Sequence, residues 1–147
     1  MALLAACELF PTTSRPPSDV VDEMRAVGKV VASTTTEWYW DGHTAIDQVI
    51  VVDVGRLDPG DAVATAIRAL QQRGWQPIKG VRNSPVGLES GSQAEAEIWV
   101  EPLASYKIPD SGGFNEQLDA SNAGLFRKLH AQNGTGAFVV LTASPTD

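Results

Sequence analysis

The sequence has one cysteine, Cys7, and two histidines, His43 and His130. A single cysteine cannot close an intramolecular disulfide, so the fold must be held by its core. It also leaves too few soft ligands for a structural metal site, and neither a metal nor a cofactor is expected. Basic residues are scarce: 11 Lys and Arg stand against 18 Asp and Glu, a net charge of −7. No stretch gathers the basic residues into a patch. Nucleic acid is therefore not expected as a partner, and an anionic lipid surface would repel the body of the chain. After the N-terminus no apolar run reaches the ~18–20 residues of a membrane span. Runs such as Val49–Val52 are strand-sized. A phosphate loop is missing too, because Gly55 and Gly60 are not followed by Lys-Ser/Thr. Ser90 in GLESG has G-x-x-S-G rather than G-x-S-x-G spacing, which argues against a hydrolase elbow.

What is present is an ordinary globular composition, 43% hydrophobic and 20% charged, in 147 residues, enough for one domain. Residues 8–18, ELFPTTSRPPS, have the composition of a flexible linker, with three prolines and no apolar period. Val20, Val21, Met24 and Val27 then fall at helical spacing, which predicts a helix over 19–27 closed by Gly28. The β-branched and aromatic run KVVASTTTEWYW meets HTAIDQVIVVDV across Asp41-Gly42, the signature of a type I′ hairpin. That turn pairs Trp40 with His43 and Trp38 with Ala45. It thereby sets Trp38, Trp40 and His43 on one face near the tip.

LDPGDAVATAIRALQQRGW is the clearest helix, with Asp58 as cap, Pro59 first, an apolar stripe and Gly74 as stop. Strands are expected at QPIKGVRN and QAEAEIWVEP around a turn-rich SPVGLESG. A helix at NEQLDASNAGLFRKLHAQNG and a strand at GAFVVLTAS complete the chain. The order is α-β-β-α-β-β-α-β, ferredoxin-like in part. The expected fold is α+β: a mainly antiparallel sheet of about five strands with helices on one face, as a single domain over 19–147.

No catalytic residue is assigned. Glu95, Glu97 and Glu101 alternate with apolar residues, the pattern of a strand face toward water. His130 sits late in a helix, where it complements the dipole. The aromatics are the better candidates for contact: Trp38, Trp40 and Trp99, with His43, can stack on a sugar, a peptide or a partner's side chain. The competing expectation is that helices cover these rings as core.

Leu4-Ala5-Ala6-Cys7 resembles the lipobox of bacterial lipoproteins: a branched apolar residue, two small ones and the cysteine that is modified. The resemblance implies cleavage before Cys7, a diacylglyceryl group on its sulfur, and a mature chain that hangs from a membrane by its linker. It covers residues 4–7 and the style of 8–18, and leaves the domain unidentified. A full signal has a basic start and ~7–15 apolar residues, so coding sequence upstream of Met1 is expected, with 1–7 as the signal remnant. The Ala-, Gly- and Val-rich, Lys-poor usage is similar to that of actinobacterial chains. The resulting expectation is a lipid-anchored extracytoplasmic domain with a binding or accessory role and an unidentified protein or small-molecule partner. Two alternatives stand beside it. One is a cytoplasmic or secreted enzyme with a site built from loops 83–93 and 105–114. The other is a structural module that pairs through a sheet edge.

Overall fold

The computed structural model describes residues 12–80, 84–132 and 137–146. The lipobox 4–7, the signal remnant 1–7, linker residues 8–11 and residue 83 of the first candidate loop lie outside the described residues.

The chain folds as β1 (Thr12–Ser14), α1 (Ser18–Arg25), β2 (Lys29–Trp40), β3 (His43–Asp53) and α2 (Pro59–Gln71). Then come β4 (Gln76–Pro77), β5 (Val86–Glu89), β6 (Ala96–Pro102), α3 (Glu116–Gln132) and β7 (Phe138–Pro145). The expected local signals are realised. Asp41 and Gly42 take φ of 43° and 74°, and Trp40 pairs with His43 and Trp38 with Ala45. The Asp58 carboxylate accepts from the Asp61 amide at 3.0 Å, with Pro59 in the first turn of α2. Gly74 adopts φ of 98°, and the Trp75 amide returns to the Leu70 carbonyl. Trp75 itself is fully buried and donates its indole N–H to Glu23 of α1.

All seven strands form one open sheet. Its spatial order is β2-β3-β7-β6-β5-β4, each antiparallel to the next. β1 lies parallel to the first residues of β3, on the edge that β2 leaves free. The fold is thus α+β with a mostly antiparallel sheet, but strand number, strand order and helix placement differ from expectation. Seven strands replace about five. Part of the difference is β1, inside the stretch read as linker. Another part is β5, inside the stretch read as turns, while of QPIKGVRN the described residues 76–80 contribute the two residues of β4 and residues 81–83 lie outside the described residues.

The ferredoxin-like order is not realised. That arrangement needs both edges of β3 for strands that come after it, and the tight hairpin gives one edge to β2. β7 takes the remaining edge and so lies between β3 and β6.

Helices cover both faces rather than one. Ile50 and Val52 pack with Val20 and Met24 of α1 and Ala62, Ala66 and Leu70 of α2. Val49 and Val51, on the opposite face, pack with Phe126 and Leu129 of α3 and with Leu103 and Tyr106. The physical reason is the uninterrupted Val49–Val52 run. Alternation turns its residues to both faces in turn, so each face needs a cover. α3 also shields the edge strand β2. Asn122, 2% exposed, accepts from Thr34 Oγ1 at 2.5 Å and donates to the Thr35 carbonyl at 2.9 Å.

Asn122→Ala is expected to destabilise the domain by about 1–3 kcal/mol, because it strands both strand partners. Combined with Thr34→Val, the loss should fall short of the sum, with a coupling of about 0.5 kcal/mol or more in urea unfolding.

Candidate functional site

Alternation and register place all four expected contact residues on the sheet face that α3 partly covers. Trp38 and Trp40 lie opposite Ala45 and His43, and Trp99 lies opposite Thr142, which itself faces Val49. α3 does not reach the hairpin tip. Trp38 and Trp40 are 45% and 47% exposed, so these two indoles are not core.

The tip is a built cluster. The Trp40 and His43 rings meet at 4.5 Å, tilted by 54°. Thr12 Oγ1 lies 2.6 Å from His43 Nδ1, and Ser14 Oγ lies 3.0 Å from Nε2. Both ring nitrogens therefore engage hydroxyls of β1. The parallel register Thr12↔His43 and Ser14↔Ala45 and a Thr12 N–H to Gly42 carbonyl bond of 3.1 Å complete the junction. In this arrangement His43 fastens the entering chain to the hairpin. On the other side Phe114, 71% exposed, stacks on Tyr39 at 4.8 Å. Tyr39 donates its hydroxyl to Glu37, which also accepts from Asn115. Between Trp40, His43 and Phe114 lies an open cavity of about 350 Å³.

Trp99 is not brought to this cluster. It sits three strands from β2, on the order of 14 Å across the sheet at ~4.8 Å per strand. Its half-buried ring lies over Gly87, where a Cβ would come within 2.8 Å of two ring carbons. Glycine in β5 is what lets this indole lie flat.

Between the two aromatic regions runs a polar strip that the sequence reading did not single out as a site. Asp47 is 8% exposed and accepts from Trp38 Nε1 at 3.0 Å and from Ser144. Burial pushes its carboxyl above the ordinary 3.8 despite those two bonds. Burial raises Glu101 likewise. Tyr106 is pushed up to about 12 by burial, against a hydrogen bond to Thr142, and the charges of Glu101 and Asp47 add to the rise. Asp47 was legible as an inward residue, since it shares the strand face of Val49 and Val51. Glu101 was read as solvated and is only half-buried.

The remaining candidates lie apart. Ser90 Oγ pairs with Ser92 Oγ at 3.1 Å. Ser90 lines a larger cavity of about 560 Å³ with Glu89 and Glu97, beside β4–β6, and no histidine lines it. The two loops of the enzyme alternative do not converge: Val86–Glu89 belongs near one sheet edge, whereas Phe114 and Asn115 contact β2 at the other. His130 is exposed in the last turn of α3. Among the described residues no three His, Asp or Glu side chains converge as metal ligands, and no helix is long and apolar enough to cross a membrane.

Comparison with protein-family models, curated proteins and solved structures gave no match to this chain. The site stands on its geometry alone.

Because the carboxyl of Asp47 is raised in the native state, it favours folding while protonated, and that contribution is lost as pH rises through the raised value. Asp47→Asn keeps an acceptor for Trp38 and stays neutral. Its urea midpoint should match wild type at low pH, where Asp47 is protonated, and exceed it increasingly as pH rises toward neutrality. Tyr106 offers a second readout. In Tyr39→Phe, the one remaining tyrosine should ionise near 12 by ultraviolet absorbance, about two units above a free phenol.

Proposed function

We propose that this chain is a lipid-anchored extracytoplasmic binding domain, with Cys7 as the modified residue and the tip of the β2–β3 hairpin as its contact surface. One observation carries the reading: the chain downstream of Cys7 enters the fold at the same tip that displays Trp38, Trp40 and Phe114. Thr12, five residues after Cys7, is already paired with His43. The first described residues after the proposed attachment point and the proposed contact surface share one end of the sheet, which is what supports the reading.

The chemistry of the tip suits binding rather than catalysis. Indole, phenyl and imidazole rings offer flat apolar area with polar edges, and stack on planar or apolar partners. Both nitrogens of its one histidine are bonded to hydroxyls. A hydroxyl beside an imidazole becomes a nucleophile where a third group, usually a carboxylate, orients the ring, whereas here hydroxyls of β1 occupy both ring nitrogens. Trp38, Trp40 and His43 act as a unit in this role, with Phe114 and Tyr39 as the neighbouring wall. Trp99, packed over Gly87, stands outside it.

The test is metabolic labelling with a lipid precursor, on a chain expressed with its upstream genomic sequence. Wild type is expected to take up label and fractionate with membranes. Cys7→Ser is expected to lose both. An unlabelled wild type would sink the anchor.

A further inference from the structure

We propose that the exposed aromatic tip docks on the headgroup layer of a zwitterionic lipid surface, with Trp38, Trp40 and Phe114 as the contacting rings. This rests on the anchored reading above and names the partner of the same surface.

The first argument is reach. Thr12 lies five residues after Cys7, and at ~3.3–3.6 Å per residue that is at most about 18 Å. Thr12 is itself bonded to Gly42 in the hairpin turn. A lipid on Cys7 therefore holds Thr12 no farther than about 18 Å from its sulfur-bearing residue, and the turn one hydrogen bond beyond, however the intervening chain runs. The rest of the sheet extends away from that end, because β2 and β3 run 12 and 11 residues from their termini at the tip. The end that must lie nearest the membrane is the aromatic one.

The second argument is chemistry. Trp38 and Trp40 are nearly half exposed and Phe114 more than two-thirds. They account for three of the four large apolar side chains found exposed among the described residues, the other being Leu57. Tryptophan concentrates at membrane–water interfaces as a large flat ring with a polar edge, and Trp38, whose N–H is held by Asp47, offers ring area rather than a donor. The cavity between Trp40, His43 and Phe114 leaves these rings room to move on contact.

Charge selects the lipid. Asp41 stands in the turn, Glu37 lies just behind it, and the chain carries −7 overall. No Lys or Arg falls between Lys29 and Arg56 to offset them. An anionic surface would repel this end, whereas a zwitterionic one leaves the aromatic contacts unopposed.

The experiment uses Cys7 as the sole thiol of the full chain. It is coupled to a maleimide lipid in phosphatidylcholine vesicles with ordinary or brominated acyl chains, and tryptophan emission is compared. Two of the four indoles are within reach, so brominated vesicles should remove roughly half of the emission. Trp38→Phe/Trp40→Phe, whose remaining indoles are Trp75 and Trp99, should lose little, with its urea midpoint confirming that it is folded. Equal emission from wild type in the two vesicle types overturns the docking, as does an equal loss in the double variant. So does quenching that strengthens when anionic lipid is added. Coupling here is chemical, so the two readings fail separately. Absence of metabolic label at Cys7 overturns the anchor and this partner with it. Label without quenching overturns the docking alone and leaves an anchored tip that faces some other ligand.

Discussion

The structure depends on keeping four consecutive residues dry on both sides. Val49, Ile50, Val51 and Val52 are each at most 1% exposed, and alternation sends them to opposite faces of the sheet. A strand of this kind must be central and must have cover above and below. The hairpin supplies β2 along one edge, and β7 brings a second two-sided run, Val139–Leu141, to the other. α1 and α2 then close one face, and α3 with the segment around Tyr106 closes the other. The strand order follows from that constraint, and so does the departure from a ferredoxin-like sheet.

The cover on the two faces is unequal, and the inequality creates the candidate site. A single helix is ~10 Å wide, while six strands at ~4.8 Å span on the order of 24 Å. α3 therefore cannot cover its whole face. It lies over Val49, Val51 and Val140 and leaves a strip that runs from Trp38 and Trp40 through Asp47 to Trp99. Asp47, Ser144, Thr142, Tyr106 and Glu101 line the strip, so its floor is polar, whereas the larger apolar cluster lies on the other face. The carboxylates there are shielded enough for burial to raise them, and burial is the leading cause for both Asp47 and Glu101. That is an environment tuned by desolvation rather than by ion pairing.

How much of this was legible in the sequence varies with the range of the forces involved. The type I′ turn, the α2 cap and the Gly74 stop are written in a few neighbouring residues, and each holds. From the turn alone the Trp38, Trp40 and His43 grouping follows. β5 escaped notice because Pro85, Gly87 and Gly91 read as turn residues. Gly87 is there instead to receive the Trp99 ring from the neighbouring strand, a reason invisible without the partner. β1 was hidden by prolines on either side, although Thr12 and Ser14 need only the His43 ring to fix them. Placement of α3 on its own face was signalled by the continuous Val49–Val52 run and obscured by QAEAEIWVEP, which suggested one wet face. Both signals were right, because the face is half dry and half wet. Sheet order depended on which strand claimed the last edge of β3, a choice no local pattern encodes.

The short parallel pairing of β1 also has a mechanical side. Any load on the chain upstream of Thr12 passes first into three residues that lie alongside β3, held by ladder bonds and the two hydroxyl contacts to His43. Pulled along its own axis, such a strand resists in shear, with its bonds strained together rather than one at a time. If it yields, the fold proper begins at Ser18, and the reach from residue 7 grows from five residues to eleven. In length that is from about 18 Å to about 40 Å. β1 is in effect a strain-relief fold in a cord: taut, it keeps the tryptophan-bearing end close to whatever holds the chain, and slipped, it more than doubles the slack without unfolding the domain behind it.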